Sequence, residues 1–329
     1  MTNYIKNEAG LLVPFAPAIL KRNYIEGGAS HRHEMTGEYR MEVRRADGSL
    51  KHDTGWFKNL ILNEGLNRLG TGEAGTGCAV GTGTSAPAAT QTALQARSAW
   101  TTTNQSNVYS AQPTAPYFLT HARTYRFALG ALNGNYSEVG VGWTQDNMFS
   151  RALIVDGGGN PSPITVLADE QLDVTYRLRL YFPTTDWGGT YTIGGASNTV
   201  TGRMVSVTSN WWSSYNSPLG NGPVVPVLGS PGAGAGYAGP LGAVTAGNPS
   251  GSFAGNSDSV NLLAYTNNSY SRSGTVGFGL NTGNAATFKV LTAVAGMLGQ
   301  VQYDFAPAIA KDNTKTLLFT LSSSWARRP

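Results

Sequence analysis

The chain has 329 residues and a hydrophobic fraction of 40%, enough for a core, but only 13% of its residues are charged, about half the usual fraction. The surface must therefore be unusually neutral, and the net charge of +4, without a clustered basic patch, excludes nucleic acid as an expected partner. With 42 glycines and 16 prolines, the chain favours short strands and turns over long helices. We expect a mainly β protein made of antiparallel β-sandwiches.

The first 34 residues are predicted to form an extended N-terminal arm. Pro14 and Pro17 interrupt an apolar segment that would otherwise suit a helix or a central strand. Its apolar side chains have no periodic local partner, so we expect them to be buried against the body of the subunit or against a neighbour. Leu12, Phe15 and Ile19 are the candidate interface residues of this arm.

Residues 35–186 are predicted to form a β-sandwich domain. Apolar and charged residues alternate from Glu38 to Arg44, the period of a half-buried strand, and Asp47-Gly48 supplies the turn to a partner strand. The clearest alternation in the chain runs over residues 172–182.

One helix of about three turns is predicted over residues 59–69 from its apolar spacing. Asn59 is expected to cap its N-terminus, and Gly70 is expected to end it.

Residues 187–329 are predicted to be a second β-rich region with a glycine- and proline-rich surface insertion at 220–255, because structureless stretches of that length are surface features. Trp211, Trp212 and Tyr215 form the most obvious aromatic cluster and are candidate interface or recognition residues. The same spacing also fits aromatic residues divided between the core and the exposed face of a strand.

The sequence indicates no metal or cofactor site. His31 and His33 are interpreted as a solvated loop pair, because a zinc site needs one or two further ligands and no other histidine has a ligand-like spacing. Cys78 is the single cysteine, and we expect it to be structural and reduced.

The sequence also gives no sign of an enzyme. It contains neither a nucleophile elbow nor a metalloprotease motif. Paired carboxylates remain open as an alternative, because glycosidase acids need to meet only in space. Asp169, Glu170 and Asp173 are the nearest such cluster, and we interpret them as a turn and its solvated flank.

Several runs resemble virion and minor tail proteins of tailed bacteriophages, and together they cover roughly residues 37–183. The runs are Thr54–Gly70 (TGWFKNLILNEGLNRLG), Val80–Pro87 (VGTGTSAP), Ser137–Trp143 (SEVGVGW), Phe149–Ile154 (FSRALI) and Leu167–Tyr176 (LADEQLDVTY). The resemblance implies a β-sandwich module of a phage particle and carries no catalytic residues across.

The expected function is therefore that of a structural component of the tail, baseplate or tail fibre, located in the virion and assembled in the host cytoplasm. Its expected partners are copies of itself, in a trimer or a ring, and other tail or baseplate proteins, because a low-charge surface is readily buried. Two alternatives stay open: a module that binds a host-receptor glycan or surface protein, and a head decoration or capsid fibre protein. We expect no membrane insertion, because no apolar run is long enough.

Overall fold

The computed structural model describes residues 4–6, 12–14, 23–206, 219–220, 234–244, 249–294 and 300–329. About 60% of the chain is in strands and 2% in helix, which confirms the prediction of a mainly β fold with antiparallel sheets. Among the described residues, no helix is long and apolar enough to cross a membrane.

Three sheets form the body of the molecule. The shared sheet contains β3 (Asn23–Arg45), β4 (Leu50–Asp53), β5 (Phe57–Lys58), β9 (Asn104–Gln112), β10 (Phe118–Phe127), β15 (Glu170–Tyr181), β20 (Ser259–Leu262), β21 (Ser271–Phe278) and β24 (Lys315–Arg327). The N-terminal cover sheet contains β6 (Leu60–Ile61), β7 (Gly77–Gly81), β8 (Arg97–Thr101), β12 (Glu138–Thr144) and β13 (Asn147–Leu153). The C-terminal cover sheet contains β16 (Trp187–Ile193), β17 (Ala196–Ser206), β18 (Gly234–Tyr237), β19 (Phe253–Asn256), β22 (Ala285–Val294) and β23 (Gln300–Lys311).

Smaller elements complete the described structure. They are the paired strands β1 (Tyr4–Lys6) and β2 (Leu12–Pro14), the paired strands β11 (Gly134–Tyr136) and β14 (Ile164–Val166), and helix α1 (Asn63–Arg68).

Strand β3 holds the shared sheet together because it is 23 residues long. Its first half pairs in parallel with β24, from Asn23 opposite Lys315 to Met35 opposite Arg327. Its second half pairs antiparallel with β15 along the opposite edge. The strand thereby joins the two ends of the chain in one sheet.

One face of the shared sheet is covered by both cover sheets. Phe149 of the N-terminal cover sheet meets Tyr176 of β15, with 6.2 Å between ring centroids. Phe305 of the C-terminal cover sheet stacks on Phe319 of β24 at 4.8 Å. The buried residues on both sides of position 187 form one hydrophobic cluster, so the core does not mark a boundary there, and the division into two regions stays a prediction.

The predicted 1–34 arm extends too far into the body. Residues 23–34 are the first half of β3, and their inner-face side chains Ala29, His31 and His33 are buried. The sequence did not reveal this strand because those residues are small or polar and their partner, β24, lies at the other end of the chain. In the chain before β3, the structure describes only the pair formed by β1 and β2.

The helix is shorter than predicted, and its predicted cap is wrong. Helix α1 has six residues and begins after Leu62, which makes no side-chain capping bond. Residues 60–61 are instead strand β6, because they pair with β13. The amide of Asn59 donates to the hydroxyl of Tyr176 at 3.1 Å.

The glycine-rich insertion is partly built into the fold. Strand β18 and the first three residues of β19 fall within residues 220–255, and both strands belong to the C-terminal cover sheet. A Cβ on Gly236 would lie 2.2 Å from a ring carbon of Phe288, so glycine there allows the ring to pack closely against the strand. In the predicted 35–186 domain, the alternating stretch at 172–182 lies in strand β15 up to Tyr181, and its inner face is buried.

Candidate assembly surface

The predicted interface residues lie almost entirely outside the described residues. Leu12 belongs to strand β2. Phe15, Ile19, Trp211, Trp212 and Tyr215 all lie in segments that the structure does not describe. A candidate surface must therefore be sought on the described body of the molecule.

Charge is concentrated on the outer face of the shared sheet, opposite the face that packs against the cover sheets. There Arg40 makes a bidentate pair with Asp53, with Nη2 to Oδ2 at 2.6 Å, and the bond from Arg40 lowers the pKa of the Asp53 carboxyl. Arg177 and Arg179 share the carboxylate of Glu38 at 2.6 and 3.2 Å. These partly exposed, cross-strand pairs have the composition of a solvated sheet face.

In contrast, very little charge lies along one flank of the molecule, where an edge of the N-terminal cover sheet lies beside an edge of the shared sheet. Strands β8 and β9 are the edge strands of two stacked sheets and follow one another directly in the chain. Between Glu73 and Arg123, Arg97 is the only aspartate, glutamate, lysine or arginine in the sequence. Residues 102–108 are all exposed, and the side chain of Val108 is 57% exposed. Residues 98–112 therefore form an uncharged flank, and the nearest charge is Arg97, at the start of β8, which pairs with Asp146 at 3.3 Å.

Among the described strands, only β10 pairs with β9. Its partner β10 pairs with it from Phe118 opposite Gln112 to Thr124 opposite Ser106, after which a bulge interrupts the register. Tyr109 stacks on His121 with 4.4 Å between ring centroids, and Asn107 lies 3.0 Å from the His121 Nε2 atom. The strand is therefore well anchored to the body while its other edge faces outward.

Residues of the runs that resemble tail proteins make buried contacts that hold the fold together. Glu138 and Arg151, from two of those runs, form an ion pair at 2.8 Å in which both side chains are fully buried. Glu138 also accepts bonds from the backbone N–H groups of Gly83, Gln95 and Ala96. The pair therefore fixes the long loop between β7 and β8 onto the N-terminal cover sheet.

The interpretation of His31 and His33 as a solvated pair is wrong. Both lie on the buried face of β3, with ring centroids 4.8 Å apart. His31 bridges Tyr303 Oη at 2.6 Å and Ser323 Oγ at 2.5 Å, and burial lowers its pKa to about 3. Ser323 is fully buried, so this serine and histidine tie three strands together and offer no accessible nucleophile.

The acidic cluster near the start of β15 is occupied by structural contacts. Glu170 accepts bonds from Lys51 Nζ at 2.7 Å and from the Leu167 N–H at 2.9 Å. Asp173 is held by Arg126 through two bonds of 2.7 Å. Within the described part of the chain, no group of three or more histidine, cysteine or acidic residues is arranged to hold a metal ion. Cys78 is free and buried, and burial raises the pKa of its thiol.

Two clefts open on the described surface. One, of about 360 Å³, lies where β24 and β5 meet the same edge of β3. Its lining includes Lys58, Arg179, Arg328 and Glu38, and the Glu38 carboxylate pairs with Arg179 at 3.2 Å. The other, of about 310 Å³, lies between β16 and the edge of β3. Its lining residues are Ser30, His31, Arg32, Pro183, Trp187, Gly188, Tyr191 and Ser324.

Comparison with protein-family models, with curated proteins and with solved structures gave no match. The resemblance to phage tail proteins therefore stays a prediction.

Proposed function

We propose that this protein is a structural subunit of a tailed-bacteriophage particle, in its tail, baseplate or tail fibre, and that it acts by assembly and not by catalysis. The observation that supports assembly most directly is the uncharged flank at residues 98–112, which includes β9 and all of β8 except Arg97. Covering such a surface requires little desolvation of charge, and its free strand edge offers backbone partners. In this proposal the subunit forms a homo-oligomer, a trimer or a ring, and also contacts other virion proteins.

The phage assignment rests on the resemblance of five runs between Thr54 and Tyr176. In the fold these runs supply helix α1, parts of the N-terminal cover sheet and the start of β15. The buried pair of Glu138 and Arg151 gives two of them a packing role, which is the kind of role expected of a structural protein.

The proposal is tested by locating the protein in purified particles. Immunogold labelling with an antibody against this chain is expected to mark the tail, and quantitative mass spectrometry is expected to give several copies per particle. Label confined to the head would support the head-decoration alternative and overturn the tail assignment. Absence of the protein from intact particles would overturn the structural role altogether.

A second candidate function, binding of a host-surface glycan, is favoured by the cleft at Trp187. Trp187 and Tyr191 project from the same side of edge strand β16, and Ser30 and Arg32 bring polar groups to the opposite wall. Aromatic faces with nearby hydrogen-bonding groups are the residue types that sugar stacking requires.

This second function predicts that the purified protein inhibits phage adsorption to host cells. The W187A variant is expected to lose inhibition, whereas W56A, which changes a half-exposed tryptophan on the outer sheet face, is expected to retain it. Both variants must first show the cooperative thermal transition of the wild type. Equal inhibition by the two folded variants would exclude this cleft as the receptor site.

A further inference from the structure

We infer that the free edge of strand β9 pairs with the same edge of a second copy of this chain, about a two-fold axis at Tyr109. The inference rests on the proposed assembly function and identifies the surface of one contact between subunits. A two-fold contact uses the same surface on both subunits and does not by itself close a trimer or a ring, so in such an assembly it joins one trimer or ring to a second one. Among the described residues, no strand pairs with the outer edge of β9, which ends the shared sheet.

The hydrogen-bonding direction along β9 follows from its neighbours. The Phe182 N–H donates to Tyr117 O, so odd-numbered residues of β10 face β15 and the even-numbered ones face β9. In the pairing of β10 with β9, even residues lie opposite even residues. Because alternate residues of a strand direct their N–H and C=O groups to opposite sides, those of Asn107, Tyr109 and Ala111 face outward.

The edge carries none of the features that usually block pairing. Strand β9 contains no charged residue, no proline and no glycine, and its bulge lies at one end, next to Asn104. Exposed edges in monomeric proteins are commonly protected by charges, prolines or bulges. An edge of this length that lacks them in its regular part is suited to being covered by another strand.

A second copy of the same strand is the occupant that fits best. The regular part of β9 runs from Ser106 to Gln112, and its midpoint is Tyr109. Antiparallel pairing about that midpoint places Asn107 opposite the second copy's Ala111 and satisfies the backbone groups of all three outward-facing residues. The other edge of the shared sheet, β20, has only four residues and would leave part of β9 unpaired.

The same register sets Val108 opposite the second copy's Ser110, and no like charges meet. This is a non-hydrogen-bonded pair, for which Cα atoms are about 4.5 Å apart, within the range that a disulfide spans. Both side chains are exposed in the subunit, so both positions can be changed without disturbing the core.

The first test is cysteine cross-linking. When V108C and S110C are mixed under mild oxidation, we expect a covalent dimer that contains one chain of each, in clear excess over the dimers formed by either variant alone. Cys78 is buried and will not compete. No excess of the mixed dimer would overturn the register.

The second test measures self-association of the full chain by sedimentation velocity over a range of concentrations. V108K/S110K is expected to weaken association by about tenfold or more, because four ammonium groups meet around the axis. V108T/S110T, which is uncharged, is expected to associate like the wild type. If the folded lysine variant associates as strongly as the wild type, or if the wild type is monomeric and gives no mixed cross-link, the inference is overturned.

Failure of this inference can be separated from failure of the proposed function. Cross-linking and sedimentation use purified protein and report only on the β9 edge. A protein that is present in virions but does not pair through β9 retains its structural role, whereas one that pairs in solution but is absent from particles retains this interface and loses the phage assignment.

Discussion

Removing the carboxylate of Glu138 should destabilise the protein more than any change to a surface ion pair. Glu138 accepts bonds from Arg151 Nε at 2.8 Å and from three backbone N–H groups at 2.7–3.1 Å, all away from water. Breaking a buried ion pair costs about 3–5 kcal/mol, because the remaining charge is left without its partner. We therefore expect E138A to lower the free energy of unfolding by about that amount.

The R151M variant removes the other member of this ion pair, and its free energy of unfolding can be compared with that of E138A. In R151M the Glu138 carboxylate keeps its three N–H donors, so the loss should lie near the lower end, about 3 kcal/mol. The matched control is R203M. Arg203 makes a bidentate pair with Asp186 at 2.7 and 2.6 Å, but their side chains are 29% and 39% exposed, and such pairs contribute about 0.2–1 kcal/mol.

The assay is urea-induced unfolding followed by tryptophan fluorescence, with the slope of free energy against urea checked for constancy across the variants. The expected order of destabilisation is E138A, then R151M, then R203M. If E138A costs no more than R203M, the buried pair does not hold the loop and the structural role assigned to the resembling runs is wrong.

The remaining predictions concern acid and close packing. Burial lowers the pKa of His31 to about 3 and also lowers the pKa values of His33 and His121. Each of these groups contributes stability that is complete above the unfolded value near 6.5 and falls by about 1.4 kcal/mol per pH unit below it. Unfolding curves between neutral pH and about pH 5 should therefore show a smaller slope for H31Q than for the wild type, by about that amount, and equal slopes would contradict the prediction. A Cβ on Gly65 would lie 2.2 Å from the Phe149 carbonyl oxygen, so G65A should cost about 1–3 kcal/mol in the same assay, whereas Gly157 has open space and G157A should have little effect. An unchanged midpoint for G65A would refute the close approach of helix α1 to β13.

The sequence determined the features that depend on local periodicity. Alternation over residues 172–182 predicted strand β15, and Asp47-Gly48 predicted the turn between β3 and β4, where Gly48 has a φ of +84°. Low charge and abundant glycine predicted a mainly β fold, because composition limits what a chain can bury and how often it must turn.

Tertiary structure decided the features that depend on residues far apart in the sequence. Residues 23–34 became a strand because β24, from the other end of the chain, pairs with them, and Leu60 joined a strand because β13 pairs with it. His31 is buried because its two ring nitrogens meet Tyr303 and Ser323. The candidate surface could not be predicted from the sequence either. An uncharged strand can lie inside a sheet or at its edge, and the pairing of strands across the whole chain decides which.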